Sequence, residues 1–178
     1  MTGPDSDKNL VLMGFMGTGK SCVGRLLAER MGREFVDMDT LIELRVGKRI
    51  SDIFREDGEA AFRRIEREVA DDLSEPRSLV IATGGGAVLN PANIEALQRG
   101  GVVICLTATP ETVLERVKRG KHRPLLRGDD LEATVRRRLD ERASAYAALP
   151  HHVWTDGRSP KAVAKAVQAC FRAAVARA

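Results

Sequence analysis

Gly14-Phe15-Met16-Gly17-Thr18-Gly19-Lys20-Ser21 follows the apolar run Leu10-Val11-Leu12-Met13 and precedes Val23, Leu26, Leu27 and Met31 at spacings of three and four. The octapeptide fits G-x-x-x-x-G-K-[ST], and its flanks read as a strand and a helix, the context this phosphate-binding loop requires. Gly14, Gly17 and Gly19 are expected at positive φ, where the backbone can come close to a ligand. Several N–H groups then aim at one concavity, and the positive end of the following helix dipole points the same way. On this reading Gly17, Thr18, Gly19, Lys20, Ser21 and Cys22 cradle nucleotide phosphates. Lys20 lies along the β- and γ-phosphates and the Ser21 hydroxyl binds Mg²⁺.

The chain has 178 residues, enough for one domain with a sizeable core. It is 43% apolar and 30% charged, so it is globular rather than disordered. Only 4% is aromatic, which argues against stacking on nucleic-acid bases. Much of the +4 net charge falls on Arg116, Lys118, Arg119, Lys121, Arg123 and Arg127, which suit a polyanionic small molecule as well as RNA. Cys22, Cys105 and Cys170 are odd in number and lack metal-ligand spacing, so a reducing compartment is expected. No apolar run approaches membrane-spanning length and the N-terminus does not read as a signal peptide; a cytoplasmic location is expected.

The remaining segments alternate between strand and helix. Met1 to Lys8 reads as a loose tail, Asn9 to Met13 as the first strand and Lys20 to Arg30 as a helix stopped by Gly32. A short strand, Glu34 to Val36, ends in Asp37-Met38-Asp39. Acids there lie at a strand's C-terminal end, where open α/β sheets bind ligands. One can serve Mg²⁺ and one the substrate; alternatively one caps a helix from Thr40 to Arg45. Ile50 to Arg55 is a helical turn broken by Gly58. Glu59 to Leu73 is amphipathic, with Phe62, Ile65, Val69 and Leu73 on its apolar face and Arg63, Arg64 and Glu66 beside it. By spacing alone Glu59 and Arg63 are a surface ion pair.

Ser78 to Ala82 is a third strand leading into Gly84-Gly85-Gly86, where either a close ligand or a tight turn needs bare backbone. A helix from Pro91 to Arg99, a strand from Gly101 to Leu106 and a helix from Glu111 to Arg119 follow. Lys121 to Asp130 is basic and bounded by glycines, suiting either a lid over phosphates or a solvated loop. Leu131 to Ala148 is a helix with Leu131, Val135, Leu139 and Ala143 as its core stripe and Arg142 next to it. Val153-Trp154, the turn Thr155 to Pro160 and a closing helix complete the chain. This order implies a parallel sheet between helices, with the ligand site at the strand C-termini.

In order and spacing, the chain resembles the shikimate kinase family from about Leu10 to its last helix. The features are GFMGTGKS, Asp37-x-Asp39, Phe62-Arg63-Arg64-x-Glu66, Gly84-Gly85-Gly86, Arg123-Pro124-Leu125-Leu126, and Arg142 before Tyr146. The resemblance implies a nucleoside-monophosphate-kinase-like fold with strand order 2-3-1-4-5, in one domain with a tail at 1–8, a substrate-binding region at 33–66 and a lid at 118–130. It implies Mg·ATP-dependent phosphorylation of the 3-hydroxyl of shikimate, in aromatic amino-acid synthesis. By position, Asp39 contacts the substrate hydroxyls, Arg63 and Arg142 hold the carboxylate, and Gly84, Gly85 and Gly86 line the pocket. Asp37 and Ser21 support Mg²⁺, Arg123 reaches the phosphates, and Arg116 and the Thr155 to Pro160 turn lie near the adenine.

The chemistry agrees: a carboxylate suits planar arginine donors, and phosphoryl transfer is mainly positioning and charge neutralisation by groups such as Lys20 and Arg123. Asp39 is suited to accept or orient the hydroxyl proton. The expected partners are shikimate and ATP, with no nucleic acid or membrane, and the expected state is a monomer. Cys22 departs from the threonine usual in the family; it is either a small buried residue under the loop or a reactive thiol at a helix N-terminus.

Overall fold

The computed structural model describes residues 7–75, 77–119 and 131–177. Its centre is β1, Asn9–Met13, whose five residues are all buried. β2 (Phe35–Asp37), β3 (Val80–Ala82), β4 (Gly101–Thr107) and β5 (His152–Trp154) complete a five-stranded sheet in the order β2-β3-β1-β4-β5. Every pairing is parallel, with Leu10 opposite Val80 on one side and Val102 on the other. Parallel strands need crossover connections, and those cover both sheet faces.

Alternation along the strands divides the core. Leu10, Leu12 and Ile104 face α1 (Lys20–Met31) and α8 (Pro160–Val175), meeting Leu27, Val167 and Phe171. Val11, Met13, Ile81, Val103 and Cys105 face the other way, toward α2 (Met38–Val46), α3 (Ile50–Glu56), α4 (Gly58–Asp72), α5 (Pro91–Gly100), α6 (Pro110–Arg119) and α7 (Leu131–Ala147). Asn9, at the start of β1, is fully buried. It bonds the carbonyls of Leu73 and Glu75 and the N–H groups of Arg77 and Leu79, fastening the turn that enters β3.

Several expectations need correction. Asp7 and Lys8 are tied down, with Asp7 O accepting from Ser78 N and Lys8 O from Arg33 Nη1, so the tail does not extend to residue 8; residues 1–6 lie outside the described residues. α2 starts at Met38 rather than Thr40 because Asp37 caps it. Gly58 opens α4 instead of only ending α3. β3 begins at Val80, with Ser78 at φ 56 in the turn before it.

On α7 the buried side is not completed by Ala143, which is exposed. The three steps of four residues from Leu131 to Ala143 drift about 120° around a 3.6-residue helix, so the stripe Leu131, Val135, Leu139 continues through Arg142 and Tyr146. On α4, likewise, Glu66 is not beside the apolar face but within it, in line with Phe62, Val69 and Leu73.

Candidate active site

The C-terminal ends of β1, β2 and β3 bring three sequence-distant stretches together. After β1 the loop turns through Gly14 (φ 141), Gly17 (φ 80) and Gly19 (φ 97), conformations open to glycine. Thr18 is buried and its Oγ1 donates to Phe15 O at 2.8 Å, holding the loop in shape. Gly19 caps α1 with no side-chain acceptor, so the first-turn N–H groups stay available to an anion. Lys20 Nζ donates to Gly14 O (2.8 Å) and Phe15 O (3.0 Å), folding over the cradle it would neutralise.

β2 ends at Asp37, which does two things. Oδ1 accepts from the N–H groups of Asp39 (3.1 Å) and Thr40 (3.4 Å), capping α2, and Oδ2 accepts from Ser21 Oγ at 2.8 Å. The capping reading of the acid pair therefore holds, and the same acid also meets the phosphate loop. Asp39 is left facing the space between the loop and the triple glycine. Burial lifts its pKa to about 6; Asp37, Glu66 and Glu43 push the same way and Lys20 opposes them.

After β3, Gly84-Gly85-Gly86 is lined by Asp39, Glu66, Arg63 and Arg142, and none of the three glycines has positive φ. At Gly84 and Gly86 the need is close approach rather than a left-handed turn. A Cβ on Gly84 would lie 2.7 Å from Asp39 Oδ1 and 3.3 Å from Glu66 Oε1. On Gly86 it would lie 2.6 and 2.7 Å from Arg63 Nη2 and Nη1, and on Gly85 3.8 Å from Arg142 Nη1. Arg142 Nη1 donates to Gly85 O at 2.9 Å, while its Nε is buried and has no partner among the described residues.

Arg63 makes the surface pair expected with Glu59 (3.2 Å) and a second pair with Glu66 (2.9 Å), whose carboxylate is 1% exposed. Burial raises the Glu66 pKa, and the Arg63 charge opposes that rise. Glu66 Oε1 has no hydrogen-bond partner among the described residues. Arg64, by contrast, is 75% exposed beside Glu68 and stays outside the site.

Arg116 bonds Gly17 O (3.2 Å), Thr155 Oγ1 (3.0 Å) and Thr155 O (3.1 Å), joining the phosphate loop to the turn after β5. Cys22 is exposed, so it is not a small buried residue under the loop. Cys105 is buried, which pushes its thiol up to about 11. Arg123 and positions 120–130 of the expected lid lie outside the described residues. Two site residues received no role from the sequence: Glu66, whose spacing from Phe62 and Val69 marks it as inward-facing, and Tyr146, whose hydroxyl donates to Gly85 O at 2.7 Å.

The family model described as shikimate kinase matches residues 16–172. A shikimate kinase of Pelotomaculum thermopropionicum is 48% identical over 152 residues, 85% of this chain and 88% of that protein. One from Desulforudis audaxviator is 50% identical over 157 residues, covering 88% and 82%. Among solved structures, a shikimate kinase from Acinetobacter baumannii in complex with shikimate superposes with a TM-score of 0.85 at 36% identity, covering 97% of this chain and 96% of that one. A Sinorhizobium meliloti gluconokinase, at 20% identity and a TM-score of 0.57, shares the fold alone.

Proposed function

The chain belongs to the shikimate kinase family, and we propose that it transfers the γ-phosphoryl group of Mg·ATP to the 3-hydroxyl of shikimate, giving shikimate 3-phosphate and ADP. The observation that carries the acceptor half is the grouping of Asp39, Arg63 and Arg142 around three glycines. A polyhydroxylated carboxylate calls for this donor set: planar cations at one end, a hydroxyl acceptor at the other and bare backbone between.

Arg63 and Arg142 bind the carboxylate, and Gly84, Gly85 and Gly86 let the ring lie against the backbone. Asp39 receives hydrogen bonds from the ring hydroxyls. As the hydroxyl oxygen bonds to the γ-phosphorus, the bond to the β–γ bridging oxygen breaks and ADP leaves; the hydroxyl proton passes to Asp39. A carboxylate with a pKa near 6 is better matched to that proton than one at the ordinary value. Lys20 and the loop N–H groups of Gly17, Thr18, Gly19, Lys20, Ser21 and Cys22 take up charge on the phosphates. Arg123, from a lid at 118–130, is assigned to the phosphates as well, and Arg116 with the 155–160 turn to the adenine.

Mg²⁺ fits Ser21 and Asp37, whose oxygens lie 2.8 Å apart beside the loop. Among the described residues no group of three or more His, Cys, Asp or Glu could hold a metal. Mg²⁺ keeps several waters and arrives on substrate phosphates, so one hydroxyl and one carboxylate are enough protein ligands for it. When bound it supplies neutralisation of charge between the phosphates. The proposal includes a single monomeric domain that works in the cytoplasm; among the described residues no helix is long and apolar enough to cross a membrane.

The test is ADP release from Mg·ATP with shikimate, gluconate or a nucleoside monophosphate as acceptor. Strong stimulation by shikimate alone is expected. ATP binding without shikimate stimulation would force Asp39, Arg63 and Arg142 to be reassigned.

A further inference from the structure

The triple glycine is the most freely rotating stretch of backbone in the site, because glycine resists rotation less than any other residue. Its middle carbonyl is nevertheless held twice, by Arg142 Nη1 at 2.9 Å and Tyr146 Oη at 2.7 Å. Both donors come from α7, one helical turn apart, so both reach the same face. A carbonyl oxygen has two lone pairs, and here each has a donor. Tyr146 is buried, which raises its pKa and keeps the hydroxyl protonated as a donor. Arg142 gives one N–H to this carbonyl and keeps a buried Nε that has no partner among the described residues.

We propose that Tyr146 is a positioning residue for the acceptor's carboxylate: by holding the Gly85 carbonyl it sets the orientation of the Arg142 guanidinium. The peptide unit is planar, so the same bond also fixes the Gly86 N–H. Without the hydroxyl, Arg142 alone restrains a peptide flanked by glycines, and its free donors lose their fixed direction. Tyr146 touches neither the substrate nor the reacting atoms. This inference rests on the shikimate reading above and adds to it a residue that acts through Arg142.

The experiment is steady-state kinetics of Tyr146→Phe, which removes one oxygen. The KM for shikimate should rise about fivefold, the change that a net hydrogen bond of about 1 kcal/mol carries. The kcat and the KM for ATP should stay within about twofold of the parent. The Ki of shikimate methyl ester, which lacks the charged carboxylate, should be the same for both proteins. In an Arg142→Ala background Y146F should add nothing, because the residue it acts through is gone.

An equal loss for shikimate and its ester, an additive loss in the Arg142→Ala background, or no loss at all would each overturn the inference. If Y146F melts too low to assay, the ester against shikimate on Arg142→Ala alone still decides: equal weakening of both means this end of the site does not bind the carboxylate, and the inference falls. Absence of shikimate turnover by the parent protein would overturn the functional reading itself, a result distinct from an active parent with an indifferent Tyr146.

Discussion

At the scale of single residues, Asp39 is held at a cost in stability, as the proposed role requires. Its folded pKa of about 6 lies above the ordinary 3.8, so the ionised form is disfavoured in the folded protein. The linkage follows: the cost is fully present above pH 6 and vanishes as pH falls toward 4, and the difference corresponds to roughly 2–3 kcal/mol. Asp39→Asn should therefore melt higher than the parent at pH 7.5, with the gain shrinking on acidification, while kcat falls by about 100-fold or more and ATP binding persists. In the parent, kcat/KM should drop through an acid limb near pH 6. Loss of ATP binding in the variant would mean Asp39 belongs to the nucleotide half. Arg63 is the opposite case. Removing it in Arg63→Ala leaves the Glu66 carboxylate buried without its cation, so the variant should raise the KM for shikimate and lose roughly 2–4 kcal/mol in urea unfolding. Adding Glu66→Gln should recover part of that stability and none of the KM.

Elements set where these residues point. The N-cap of α2 is the clearest case, since Asp37 caps with one oxygen and meets Ser21 with the other. Asn caps as well as Asp, whereas Ala does not. Asp37→Asn should keep the melting temperature but require more Mg²⁺ for half-maximal rate; Asp37→Ala should additionally lose about 1 kcal/mol. A Mg²⁺ requirement unchanged in both would remove Asp37 from the metal site. The turn after β3 offers a second case. In Gly86→Ala the new methyl meets the movable end of Arg63 rather than backbone, so the fold should tolerate it while the KM for shikimate rises severalfold. Gly14→Ala is different, because φ 141 and the Leu106 carbonyl oppose any side chain there, and it should destabilise the whole protein.

At the scale of the molecule, both core halves share the same strands. Val11 belongs to one and Leu12 to the other, one residue apart on β1. Neither face can open while the other stays packed, so unfolding should be one cooperative transition. Val11→Ala and Leu12→Ala should each shift the single urea midpoint, by about 2–4 kcal/mol for the leucine and less for the valine, as read by circular dichroism and Trp154 fluorescence together. Separate midpoints for the two probes would divide the core. The same sheet brings Asp37 and Asp39, the triple glycine and the phosphate loop to one edge, because parallel strands end on the same side.

The phosphate loop and the alternation of strands with helices were legible in the chain, since motif spacing and apolar alternation are local properties; the strand order and the grouping of Asp39, Arg63 and Arg142 followed only from the family resemblance of the motifs. The inward positions of Glu66 and Arg142 were only partly legible. Each interrupts an apolar stripe with a charge, and hydrophobic periodicity assigns charges to the surface. The three glycines stand out in the sequence, but the reason for two of them, side chains from α2 and α4 crowding Gly84 and Gly86, is a contact between distant segments. Tyr146 figured only as a spacing mark beside Arg142 and received no role, because its partner is a main-chain carbonyl 61 positions away that any sequence would supply. Local chemistry thus marked which groups are proposed to meet the substrate. Only the packing that brings α4 and α7 to the glycine turn after β3 decided their directions, because a buried charge takes its orientation from the few partners that can compensate it.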